Sequence, residues 1–181
     1  MERKYAWHNY DDATMEKVYA LSDTYRQFLD NGKTERECVV QAVEFAEAKG
    51  YVNLNDIIKS NTSIKAGDKI YYTHMDKSIA LFNIGTDNIE LGMNILGAHI
   101  DSPRIDVKQN PQYEDSNLVF WDTHYYGGIK KYHWVAMPLA IHGVVVKTDG
   151  TRININIGDK ESDPVFCITD LLPHLGQEQM Q

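Results

Sequence analysis

The apolar residues of this chain change their period once, and that change constrains the fold more than any other feature. Up to Gly50 they recur at helical spacing. Within 13–30, Val18, Leu21, Tyr25, Phe28 and Leu29 fall at such intervals, with Asp11 or Asp12 available as the cap. Thr34-Glu35-Arg36-Glu37 has the pattern of a capping box, in which the Thr34 hydroxyl and the Glu37 carboxylate satisfy each other's backbone donors. Val39, Val40, Val43, Phe45 and Ala46 continue the apolar side, and Gly50 marks the stop. From Ile57 the runs become short and strand-like. "KIYYTHM" (69–75) and "SIALFNIG" (78–85) are close enough to pair antiparallel, after a turn at "AGD" (66–68). "GMNILGAHI" (92–100) is a mostly apolar run of the kind buried on both faces of a sheet. "IHGVVVKTDGTRININIG" (141–158) reads as a hairpin turning at Asp149-Gly150, and "VFCITDLLPHL" (165–175) as one more strand running into a loop or helix start. Helices and buried strands before Ser102-Pro103, then nearly pure β texture, predict an α/β layer followed by a β-rich unit.

Bulk properties remove several classes of function. Hydrophobic residues at 43% and charged residues at 24% belong to a globular chain of 181 residues. A net charge of −8, from 26 acids against 18 bases, repels phosphate backbones, so no nucleic-acid partner is expected. The opening "MERKYAWHNYDD" has no apolar stretch after its basic residues and does not resemble a secretory signal. "WVAMPLAIHGVVV" (134–146) is too short to span a bilayer and is interrupted by Pro138 and His142, so no membrane association is expected. Cys38 and Cys167 form no CxxC pair and read as two reduced, mostly buried thiols of a cytoplasmic protein.

Chemistry concentrates at "NILGAHIDSPR" (94–104). In an extended strand residues i and i+2 share a face, so His99 and Asp101 can look into one cavity at a strand end. A neutral imidazole suits zinc, and a nearby carboxylate can orient it. The triplet alone is weak evidence, because His74-Met75-Asp76 repeats it. Context separates the two. His99 follows an apolar run in which Gly97 permits close backbone approach, and Ser102-Pro103 then turns the chain out of the sheet. Open α/β sheets place their sites at such strand ends. His74 reads as a solvated edge or turn. His124 and His133, among aromatics and lysines, read as packed or interface histidines. Lys130-Lys131 reads as a solvated face, and Ser102 as part of a turn rather than a nucleophile. No glycine-rich phosphate loop occurs.

Three blocks, "GAHIDSPRIDVKQNP", "DTHYYGGIKKYHWVAMPLAIHGVV" and "DPVFCITDLLPHL", together resemble the amino-terminal part of the M18 family of zinc aminopeptidases. The aspartyl aminopeptidases belong to that family, and the bacterial branch is the nearest match. The resemblance implies a two-metal hydrolase of amino-terminal peptide bonds, with an α/β catalytic domain interrupted by a β-rich domain used in oligomerisation. It further implies homo-oligomeric shells built from dimers. Residues 1–103 would then be the start of the catalytic domain, and 104–181 the start of the inserted dimerisation domain. Carried over residue by residue, His99 becomes a metal ligand and Asp101 the catalytic-site carboxylate that supports the metal from behind. His174 in "LPHL" becomes the inserted domain's histidine that reaches a neighbouring subunit's peptide substrate. Tyr126-Gly127-Gly128 matches a block expected to form a close-packed structural turn. Zinc is the metal the resemblance implies; cobalt or manganese can occupy similar N/O sites. The family's bridging aspartate, its Glu-Glu pair with the general base, a further carboxylate and a last histidine are expected downstream of Gln181. These 181 residues by themselves are therefore expected to be inactive. The alternative is a non-catalytic fragment or assembly module that has lost hydrolysis.

Overall fold

In the computed structural model, which describes residues 4–180, the first long helix, α1, runs from Asp12 to Asn31. Asp11 caps it, its Oδ1 accepting from the Thr14 N–H at 2.9 Å. Helix α2 spans Glu35–Ala48 behind the expected capping box: the Glu37 N–H donates to Thr34 Oγ1 at 3.3 Å, and the Thr34 N–H to Glu37 Oε2 at 2.8 Å. At its far end Gly50, with φ 82°, donates to Glu47 O, and Tyr51 donates to Ala46 O. These are the paired bonds of a Schellman motif.

The chain divides into two compact units, one ending at Ile100 and the other beginning at Asp101. In the first, β1 (Val52–Asn53) leads into the short helix α3 (Leu54–Lys59), followed by β2 (Lys69–His74) and β3 (Ser78–Asn83). The sheet order is β1-β2-β3, with β1 parallel to β2 and β3 antiparallel to it, Tyr71 standing opposite Leu81. The His74–Ser78 connection uses left-handed Met75 and Asp76, φ 52° and 58°, and Arg36 Nη1 donates to the Met75 carbonyl at 2.7 Å.

The buried apolar residues of the described chain, Cys38, Val39, Ala46, Ile70 and Tyr71, all belong to this unit. Helix α2 packs on β2 and β3. Successive strand residues point to opposite faces, so burial of both Ile70 and Tyr71 means that β2 is covered on both sides. Tyr71 reaches α2, where its hydroxyl donates to Glu47 Oε1 at 2.7 Å. Helix α1 lies along α2, and the Phe28 and Phe45 rings stack with centroids 6.2 Å apart.

One expected element is missing. The apolar run 92–100 is in no strand, and Ile95 and Leu96 are 80% and 99% exposed. An apolar run becomes an interior strand only where flanking strands supply hydrogen-bond partners and helices cover its faces. None of the described strands pairs with it.

The second unit is built from two hairpins. β4 (Arg104–Asp115) and β5 (Leu118–Tyr126) pair antiparallel through a two-residue turn at Ser116 and Asn117, both left-handed, a geometry whose twist matches the strands. The register slips between Val107 and Gln112, where Pro111 cannot donate to a ladder. β6 (Ile141–Val146) and β7 (Arg152–Ile157) form the expected second hairpin. Its turn is a three-residue loop: Lys147 N–H donates to Thr151 O, Gly150 N–H to Lys147 O, and Gly150 takes φ 84°.

The strand expected over 165–175 reduces to isolated bridges, Phe166 opposite Leu139 and Ile168 beside Val135. Phe166 and Ile168 share a face of the extended backbone, and Cys167 between them has the other. Its thiol is exposed, contrary to the expectation of two buried cysteines, whereas Cys38 is buried; both are free.

Candidate functional site

His99 is exposed and sits outside any helix or strand, next to last in the first unit. Asp101 opens the second unit and is half-buried. The most developed polar cluster around the predicted triplet is built on Asp101. Antiparallel pairing of β4 and β5 sets Arg104 directly opposite Tyr126. The Arg104 guanidinium lies 4.1 Å from the centroid of the Tyr126 ring, within range of a cation–π contact. Arg104 Nε donates to Asp106 Oδ1 at 2.8 Å, a pair that follows from i and i+2 sharing one face of β4. The Tyr126 hydroxyl donates to Asp101 Oδ2, also at 2.8 Å. A β-carbon added to Gly127, whose φ is 73°, would lie 3.4 Å from Pro103. The blocks "HIDSPR" and "YYGG", more than twenty residues apart in sequence, thus meet along 101–104 and 126–127.

The other singled-out residues lie elsewhere. His74 is exposed at the end of β2, beside the Tyr72 ring, which fits its reading as a solvated turn. His174 occupies an exposed turn closed by the Leu175 N–H on Leu172 O. The described hydrogen bond of Asp101 goes to Tyr126, and none of those described reaches His174. His124 and His133 are both at the surface, His133 edge-on to Tyr132 with centroids 4.3 Å apart.

A catalytic zinc needs about three protein ligands and a water. Among the described residues no three His, Cys, Asp or Glu side chains converge to hold a metal ion. His99 offers the right donor atom for one coordination position, but these residues alone do not make a complete zinc site.

Two contributors were not legible as such in the sequence. Tyr126 reads there only as part of a structural turn, whereas its hydroxyl reaches Asp101. Arg104 reads only as the residue after Ser-Pro. The Arg104-x-Asp106 spacing is the one local signal that could have flagged an ion pair on a strand face; the cross-strand register that adds Tyr126 is not local.

With this geometry in place, the comparisons with known proteins give the class. Residues 28–181 match the family described as Aminopeptidase I zinc metalloprotease (M18), and the chain belongs to that family. The probable M18 family aminopeptidase 1 of Clostridium acetobutylicum is 51% identical over 180 residues, covering 99% of this chain and 39% of the relative. Among solved structures, an M18 aminopeptidase from Thermotoga maritima superposes with a TM-score of 0.85 at 45% identity, covering 98% of this chain and 38% of that one. Aminopeptidase I from Clostridium acetobutylicum superposes with a TM-score of 0.82 at 51% identity, covering 100% and 40% respectively. The expected α/β fold therefore holds, and the chain spans about two fifths of the length of these relatives.

Proposed function

We propose that these residues are the amino-terminal portion of a metalloaminopeptidase that hydrolyses amino-terminal peptide bonds with zinc. The observation that carries this reading is the family match over residues 28–181, which contains the His99-Ile100-Asp101 triplet. In the complete enzyme two metal ions act, zinc by default, with cobalt or manganese able to substitute. His99 is a ligand to one of them. Asp101 is the carboxylate that keeps the site in shape, and His174 contacts the peptide across a subunit boundary. Residues 1–103 belong to the catalytic domain and 104–181 to the inserted β-rich dimerisation domain of a cytoplasmic homo-oligomer. No helix among the described residues is long and apolar enough to cross a membrane, and the acidic balance disfavours nucleic acid.

The competing reading is an assembly module without hydrolysis. The test is turnover of chromogenic aminoacyl substrates, with bound zinc measured in parallel, by the polypeptide carrying these residues at its full natural length. His99→Ala should lose most of both. Asp101→Asn should cost on the order of 10–100-fold, as outer partners of metal ligands do. His74→Ala should change little. Unaltered zinc content and turnover in His99→Ala would sink the assignment, and a full-length wild type without turnover would favour the assembly module.

A further inference from the structure

We infer that Tyr126 is a positioning residue for the Asp101 carboxylate, and that Arg104 holds Tyr126 in place for that task. The inference rests on the reading of Asp101 as the carboxylate supporting the metal. Asp101 lies outside any strand, so no ladder of backbone hydrogen bonds fixes its approach. The terminal torsion of an aspartate is broad, and a carboxylate at such a position needs a directional partner to keep one orientation. The Tyr126 hydroxyl is that partner. It donates to Oδ2 at 2.8 Å, a hydrogen bond strengthened by the carboxylate's charge.

A tyrosine at the end of β5 is not held by core packing, since Tyr126 is 38% exposed. What limits its swing is the Arg104 guanidinium on its ring face at 4.1 Å. Arg104 is in turn tethered by Asp106 through Nε at 2.8 Å. The planar guanidinium suits both contacts, stacking on the ring while one edge donates to the carboxylate. The β4–β5 pairing thus determines where the Asp101 oxygen sits, through Asp106, Arg104 and Tyr126 in turn. The approach of Gly127 to Pro103 anchors the same junction through the backbone.

The experiment uses the full-length, zinc-loaded polypeptide and three readouts: the rate of zinc loss to a chelator, kcat/KM, and the thermal midpoint of the metal-free form. Tyr126→Phe removes one oxygen and keeps the ring. It should lower kcat/KM about tenfold and speed zinc loss by a similar factor, the low end of the range for outer partners of metal ligands. The metal-free midpoint should stay near that of wild type. In an Asp101→Asn background the same change should add almost nothing, because the carboxylate that the hydroxyl orients is already gone. Arg104→Gln should move the readouts in the same direction, and Arg104→Lys, which keeps the charge but neither the planar stack nor the Nε bond to Asp106, should recover only part of the loss.

If the effects of Tyr126→Phe and Asp101→Asn multiply, or if the loss follows a fall in the metal-free midpoint, Tyr126 is merely structural and the inference fails. Zinc retention and turnover unchanged by Tyr126→Phe would overturn it too. His99→Ala separates the layers. If that variant keeps its zinc and turnover, the functional reading falls and takes the inference with it. If it loses both while Tyr126→Phe and Asp101→Asn multiply, only the role of Tyr126 is wrong.

Discussion

Replacing Tyr71 by Phe tests the packing that supports the first unit. Tyr71 is only 5% exposed, and its hydroxyl donates to Glu47 Oε1 at 2.7 Å. Phenylalanine keeps the ring and its burial, so the perturbation is confined to the hydroxyl, which bonds Glu47 and also meets the Asn53 side chain. A bond to a charged group contributes about 1.5–3 kcal/mol when both partners are dry. Glu47 is exposed and regains water in the variant, which brings the expected loss down to about 1 kcal/mol. In a unit of this size that lowers the melting midpoint by about 4–8 °C.

The same site predicts a pH signature. Burial, then the hydrogen bond to Glu47, raises the Tyr71 phenol above its ordinary value. The folded chain therefore keeps a proton that the unfolded chain releases. This contribution is full below the unfolded value of about 10 and is lost as pH rises through the raised folded value. Urea unfolding followed by the helical circular-dichroism signal is the assay, because α1, α2 and α3 all lie in the first unit. Wild type should lose stability more steeply than Tyr71→Phe above about pH 10, so that the gap between them narrows. Every other tyrosine is common to both proteins, so the difference isolates Tyr71. Equal stability at neutral pH with parallel alkaline slopes would refute the reasoning.

Two further outcomes follow from the second unit and from the donor set. Gly150→Ala meets no atom within 4 Å of the new β-carbon but forces an L-residue to φ 84°. It should cost about 1–2 kcal/mol through backbone strain alone, read as faster hydrogen exchange of the β6–β7 amides with the first unit unchanged. These 181 residues, purified by themselves and dialysed against zinc-free buffer, should retain clearly less than one zinc per chain, because no three donors converge among the described residues. Stoichiometric zinc after dialysis, with turnover that a chelator abolishes, would show a complete site and contradict that expectation.

Elements whose causes are local were legible in the sequence. The Asp11 cap, the Thr34–Glu37 box, the Gly50 stop and the turn at Asp149-Gly150 each depend on residues within a few positions, and each is where the pattern put it. The His99-Ile100-Asp101 triplet could likewise be marked as a candidate from spacing and context. Tertiary structure decided the rest. The apolar run 92–100 has the composition of a buried strand, yet strand formation needs neighbours, and no described strand pairs with it. Cys167 became exposed because pairing of Phe166 with Leu139 and Ile168 with Val135 chose which face of that segment turns inward. The partners of Asp101 were decided by the register of β4 on β5, which sets Arg104 opposite Tyr126. A slip of one residue there would turn the Tyr126 ring to the other face of the hairpin, and its hydroxyl would no longer reach the carboxylate.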